Sequence, residues 1–331
     1  MGYVITIISL FALLLVYFKI ADKYNIIDKP NHRSAHTEIT LRGGGVIFPI
    51  AFLLFLGSQL LHQNPITCPQ NYLIFGIGLL AISTISFIDD ILDLSSKIRL
   101  VFHFLSVSLL LYFINVLQLL PIWAIPILYL LIIGILNAYN FMDGINGITG
   151  LYSLVILGSL LYVNQYVIEF TDINFIIYPL IACLVFLFFN FRKKAKCFMG
   201  DVGSMGIVFW IIALIGLLIL KTENFKYLFF LTIYGVDVVF TILERLKLKE
   251  NIFEAHRRHL YQLFANEKKV SHLIISSFYA MIQLLINVFL INSNFNLLFI
   301  SLIVLIPIII IYLFLKNDLK KRVIINHSKK N

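Results

Sequence analysis

Charge is what this 331-residue chain has least of: Asp, Glu, Lys and Arg make up 13% of it, and 60% of positions are apolar, against ~45–50% in soluble domains. So few ionic side chains cannot wet every face of a water-soluble fold of this size. A mean hydropathy of +0.94 excludes a disordered chain as well. Cysteine is scarce too. Cys68, Cys183 and Cys197 are too few and too scattered for a disulfide framework or a zinc site. No segment repeats with a period of roughly 20 to 50 residues, and neither half resembles the other, which argues against a solenoid or an inverted-repeat transporter. A Walker loop ending in GK[ST] is missing, as is a GxGxxG after a strand.

Long apolar runs are what the chain does have. A membrane crossing takes ~20 mostly apolar residues, and such runs begin near Met1, Gly43, Asn71, Leu100, Leu119, Gly147, Asn174, Gly203, Phe225, Ser271 and Asn294. The sequence therefore predicts an all-α polytopic membrane protein with eleven transmembrane helices and its termini on opposite sides. Of the 26 lysines and arginines, all but Lys221 and Lys226 fall on one set of alternate helix ends. The positive-inside rule then puts the N-terminus outside and the C-terminus in the cytoplasm. Read this way, the net charge of +9 reports topology and requires no nucleic acid. The first run, Tyr3 to Phe18, lacks a basic start and a small-residue cleavage site, so it reads as a retained helix.

On this topology the inner segments are roughly 19–42, 89–99, 137–146, 192–202, 244–270 and a tail from 316. The outer ones are short and carry almost no groups able to do chemistry, so an active site has to face the cytoplasm. Asp89, Asp90 and Asp93 end an apolar run and are followed by Lys97 and Arg99. On a helix Asp93 shares a face with both other acids, and charges that close need a cation, a partner or a shared proton. A solvated helix end is the plainer explanation, although acids oppose the dipole there. Asn137, Asn140, Asp143, Gly144, Asn146 and Gly147 follow another apolar run. Their amides and carboxylate suit a hard cation or sugar hydroxyls; a plain turn uses the same residue types without needing both Asn137 and Asn140.

Asp201 lies between Gly200 and Gly203 where an apolar helix begins, a place for phosphate oxygens and their metal, or simply for an N-cap. Glu254, His256, Arg257, Arg258 and His259 crowd the longest inner loop. Guanidinium forks and imidazoles suit phosphate, while a basic stretch obeying the topology rule is the ordinary case. His32, Arg33 and His36 precede Arg42 and the glycines 43–45, where backbone can approach an anion. Asp237, at bilayer depth, costs ~3 kcal/mol unless partnered. His103 reads as a packing residue.

All five segments fall on one face of the membrane, where they combine acids for a metal, cations for phosphates and amides for a sugar beside a hydrocarbon phase. In order and topology, from about residue 28 to 264, they resemble the polyprenyl-phosphate N-acetylhexosamine-1-phosphate transferases. The triple glycine and the histidine loop are more similar to the bacterial members that start O-antigen or related surface glycans than to the phospho-N-acetylmuramoyl-pentapeptide transferases. Leu41, Asn146 and Ile148 depart from the usual proline, Asp and Leu, which bears on sugar preference.

The resemblance implies a multi-pass enzyme of the bacterial cytoplasmic membrane. It would move a sugar 1-phosphate from a UDP-activated N-acetylhexosamine to undecaprenyl phosphate with release of UMP, using Mg²⁺ or in its place Mn²⁺. By position, Asp201 and Asn140 would hold the metal, and Asp89 and Asp90 would position or deprotonate the lipid phosphate. Asn137, Asp143 and Asn146 would bind nucleotide or sugar; Arg42, His256, Arg257 and His259 would grip phosphates. Residues 1–315 would form one integral-membrane catalytic domain and 316–331 a basic cytoplasmic tail. A homodimer stays open. Two other classes stand beside this one: a DDxxD-type intramembrane prenyltransferase, which needs a second acid-rich helix, and a lipid or solute transporter, whose polar groups belong at mid-bilayer.

Overall fold

A computed structural model of the chain describes residues 2–30, 38–61, 71–92, 94–251 and 256–328, with side chains except at 61 and 320–328. The fold is all-helical but for one two-residue antiparallel pair, β1 (Ile27–Asp28) with β2 (Thr40–Leu41). Helices are what long apolar runs become in lipid, because the helix satisfies every backbone polar group within the segment. In chain order they are α1 (Gly2–Lys23), α2 (Ile47–Leu61), α3 (Tyr72–Leu92), α4 (Ser96–Phe113), α5 (Ala124–Met142), α6 (Ile148–Tyr166), α7 (Asn174–Asn190), α8 (Gly200–Thr222), α9 (Thr232–Lys247), α10 (Leu260–Asn266), α11 (His272–Asn292) and α12 (Leu297–Ser328).

Helix α8 is apolar on every side and accordingly forms the axis of the bundle: 89% of its apolar window is buried, against 17% for α12. Around it pack α2, α3, α5, α6 and α7. Between α2, α3, α7 and α8, the rings of Phe52, Phe75, Phe175 and Trp210 lie 4.9 to 5.7 Å apart. The Trp210 indole N–H donates to the Phe175 carbonyl at 3.0 Å, so its burial leaves no donor unpaired. The outer faces are the reverse of a soluble surface. Leu130, Phe314 and Ile8 are more than half exposed, which only lipid tolerates over so many positions.

Nine helices among the described residues are long and apolar enough to cross a membrane. Shorter apolar helices at Gly44–Leu60 and Asn174–Asn190 stand at the two remaining positions expected from the sequence. The division at 315/316 is not a structural break, because α12 runs through it. Lys316, expected in a solvated tail, is 3% exposed and pairs with Glu244 at 3.1 Å. The inner segment 244–270 is not plain loop either, since it contains α10.

Candidate active site

Arg42 stands at the centre of the polar end of the bundle. Its Nη2 lies 2.5 Å from Asp90 Oδ1 and 3.3 Å from Asp201 Oδ1, so one guanidinium bridges the end of α3 and the start of α8. The Asp90 side chain is fully buried, whereas those of Arg42 and Asp201 are 32% and 24% exposed. Asp90 also accepts the backbone N–H groups of Asp201 and Val202 at 3.1 and 3.4 Å. The N-terminus of α8, expected to receive a phosphate, therefore already carries a carboxylate from α3, as the helix dipole favours.

Two glycines make that approach feasible. A Cβ on Gly200, whose φ is +72°, would fall 2.5 Å from Asp90 Oδ2. One on Gly45 would fall 2.1 Å from the Gly203 Cα. The glycines read as an anion cradle instead seat backbone on backbone: Gly44 and Gly45 donate to the carbonyls of Phe198 and Met199 at 2.8 and 2.9 Å. Tyr17 donates to the Arg42 carbonyl at 2.6 Å and ties this segment to α1.

Asp89 parts from Asp90. Its oxygens accept the Leu94 N–H at 2.8 Å and Arg99 Nη1 at 2.9 Å, which closes the α3–α4 turn. Asp93, His32, Arg33, His36 and Glu254 lie outside the described residues. The DDxxD reading needs its acids to converge, and the two that are described face different helices.

From α5, Asn140 donates to Ser204 Oγ at 3.2 Å, leaving its carbonyl oxygen as the other end of the amide. Asn137 turns back onto its own helix, donating to the Ile133 carbonyl at 2.8 Å, and does not join the cluster. Asp143 follows α5 directly. Burial, with Asp201 nearby, pushes its carboxyl up to about 7, Thr149 and Arg42 acting against the shift. Asn146 donates to the Arg192 carbonyl at 2.8 Å, while its own Oδ1 is buried without a partner among the described residues. It lines a cavity of about 480 Å³ together with Glu38, Thr40, Lys193, Phe198 and His272. Asn190 holds that wall, accepting the Gly147 N–H at 2.6 Å and donating to the Cys197 carbonyl at 2.8 Å. Sequence reasoning missed Glu38, Lys193, His272 and Asn190; only the Lys193–Lys194 pair stood out, as part of the charge count.

His256 and His259 sit with ring centroids 4.8 Å apart beside Phe141. Desolvation, with His259, Arg245, Lys316 and Arg258 around it, holds His256 down at about 4, so it is neutral at pH 7. Arg257 is partly buried between them. Arg258 is spent on ion pairs with Glu244 and Glu250. Tyr261 joins this loop to the amide motif: it donates to the Phe141 carbonyl at 3.0 Å, and its hydroxyl would lie 2.2 Å from a Cβ on Gly144. Asp237, which needs a partner at bilayer depth, is buried and paired with His259 at 3.2 Å.

The donor set near Arg42 is hard oxygen: Asp90, Asp201, Asp143 and Asn140. Among the described residues no three His, Cys, Asp or Glu side chains converge into a preformed cage. Two acids and an amide fit Mg²⁺ in the way it binds beside phosphates, keeping waters and substrate oxygens for its remaining positions.

Fold and site together define a polytopic membrane protein whose buried acids meet a guanidinium, amides and histidines at one end of the bundle. Residues 72–219 match glycosyl transferase family 4. The chain is 26% identical over 294 residues to the probable undecaprenyl-phosphate N-acetylglucosaminyl 1-phosphate transferase of Bacillus subtilis, covering 83% of this chain and 80% of that one. To the undecaprenyl-phosphate alpha-N-acetylglucosaminyl 1-phosphate transferase of Thermotoga maritima it is 25% identical, covering 80% of this chain and 82% of that one. To the Escherichia coli protein of the same name it is 26% identical, covering 77% and 74%. The family match spans the acid and amide motifs but neither Arg42 nor the histidine loop.

Proposed function

We propose that this chain transfers an N-acetylhexosamine 1-phosphate, or a related amino-sugar phosphate, from a UDP-sugar to undecaprenyl phosphate, giving the lipid-linked diphosphate sugar and UMP. The product would begin a surface glycan such as O-antigen. The protein crosses the bacterial cytoplasmic membrane eleven times, N-terminus outside, with the site open to the cytoplasm. The names of the relatives support the acceptor and the transferred group.

The observation that carries the reading is the Asp90–Arg42–Asp201 bridge at the mouth of an apolar bundle, next to a cavity large enough for part of a nucleotide sugar. Asp201 and Asn140 would hold Mg²⁺, which when bound neutralises charge developing on the diphosphate. Arg42, held between two carboxylates, grips the phosphate oxygens. Asp90, dry and fixed by two N–H groups, keeps Arg42 aimed, and Asp89 holds the α3–α4 turn. Asn146 and Asp143 receive nucleotide or sugar, and the histidine loop receives phosphate.

Purified protein incubated with UDP-N-acetylglucosamine, undecaprenyl phosphate and Mg²⁺ is expected to release UMP only when all three are present. Exchanging the sugar for its galacto epimer reads the preference. No UMP with either sugar ends the proposal.

A further inference from the structure

Asp237 of α9 is 1% exposed and lies apart from the Arg42 cluster. Four elements send donors to it. On Oδ1 it accepts the Leu260 N–H at 3.1 Å, Tyr312 at 3.1 Å and Thr241 at 3.3 Å, and on Oδ2 it accepts Tyr279 at 2.8 Å. Lys316 Nζ, which can only donate, takes the oxygens of Tyr312 and Thr241 at 2.7 and 2.8 Å. With Lys316 on those oxygens, the two hydroxyls, 3.1 Å apart, have only Asp237 or each other left to donate to, and the carboxylate is held from several sides.

What that orientation serves is His259, itself 2% exposed, whose Nδ1 lies 3.2 Å from Asp237 Oδ1. A carboxylate accepts, so Nδ1 carries the proton. Nε2 is then the nitrogen left over, and it is buried without a hydrogen-bond partner among the described residues. The ring stacks on Tyr261, whose hydroxyl abuts Gly144 next to Asp143, so packing through Tyr261 links it to the amide motif. His256 lies beside this imidazole, with Arg245, Arg258 and Lys316 around that second ring.

We infer that Asp237 is a positioning residue: it fixes the His259 imidazole with Nδ1–H on its carboxylate and presents Nε2 to a phosphate oxygen of the substrate. This rests on the transferase reading above. An oriented imidazole of this kind is what a bound phosphate needs, because the carboxylate behind it sets the tautomer and the ring's direction.

The test uses the full chain in detergent with ¹⁵N-labelled histidine, as wild type, Asp237→Asn, His259→Gln and the double variant. The wild-type His259 signal, identified by its loss in His259→Gln, is expected to be that of the Nδ1–H tautomer and to shift in Asp237→Asn. Turnover in Asp237→Asn is expected to fall roughly 10- to 100-fold with KM little changed. The double variant should be no slower than His259→Gln alone. Multiplying losses, or an unchanged His259 spectrum in Asp237→Asn, would overturn the inference. Should Asp237→Asn fail to fold, an Nε2–H tautomer in the wild-type protein overturns it equally. If the wild type releases no UMP, it is the transferase reading that fails, while the tautomer still reports on Asp237.

Discussion

Asp89 and Asp90 are adjacent in sequence, yet consecutive helical residues point ~100° apart, and so one faces Arg99 and the other Arg42. The importance of this spot was legible, because acids at the end of an apolar run demand an explanation. Their separate roles were not, since they depend on which helices flank α3. Asp201→Asn keeps the volume and removes the charge, and Asp90 remains to partner Arg42. Folded yield should hold while kcat drops ~10²-fold or more, the scale seen when one charge-stabilising group is lost; full turnover would remove Asp201 from the metal set. Asp90→Ala strips an acceptor from two N–H groups and a guanidinium, and should cost about 1–3 kcal/mol in thermal unfolding as well as activity. Two other side chains set opposing pH slopes. His256 lies near 4 when folded, below its usual value, so it contributes stability above pH ~6.5 that is lost as pH falls toward 4. Asp143, raised to about 7, favours the protonated folded state, a contribution present below pH ~3.9 and lost as pH rises to 7. In metal-free buffer, the difference in Tm between pH 5 and pH 7.5 should therefore tilt toward higher pH in Asp143→Asn and toward lower pH in His256→Gln. Equal tilts in both variants would mean that neither group carries its assigned slope.

At the level of elements, periodic apolar runs were enough to find the helices, because nothing but a helix satisfies their backbone in lipid. Where an element ends depends on its neighbours. α2 starts late because the glycines before it lie against α8, and α12 overruns its apolar stretch because Lys316 finds Glu244 inside the bundle. The short α10 was hidden in a stretch that reads as basic loop; its signal is local, with the Gln262 side chain accepting the His259 N–H at 3.2 Å. The contact of Gly45 with Gly203 yields a direct test. Gly45→Ala drives a methyl into backbone that cannot yield, and overpacking of this kind costs about 1–3 kcal/mol. It should also part Arg42 from Asp201, lowering Tm and turnover together. Gly57 has nothing within 4 Å of its would-be Cβ, so Gly57→Ala should leave both unchanged or raise Tm slightly. A Gly45→Ala protein as stable and active as Gly57→Ala would show that the backbone contact is dispensable.

For the whole molecule, charge asymmetry said more than any motif: a chain this apolar keeps all but two of its lysines and arginines at one set of helix ends, and the acid, amide and histidine motifs of the site belong to those same ends. Contacts that join residues 42, 90 and 201, or 237 and 259, were beyond the sequence, because long-range packing of helices decides them. The orientation that the charges predict is open to direct measurement. Lys194 is strongly exposed at the rim of the cavity that holds Asn146, and Glu223, also exposed, lies past the far end of α8. Cys183 and Cys197 are buried, and with Cys68, which lies outside the described residues, replaced by Ser the background for labelling is low. With a membrane-impermeant maleimide, Glu223→Cys should react in intact cells and Lys194→Cys only after permeabilisation or in inverted vesicles. The helix between them is long enough to span the bilayer, so labelling of both from one side would mean that α8 does not cross it, and with that the cytoplasmic placement of the Arg42 site would fall.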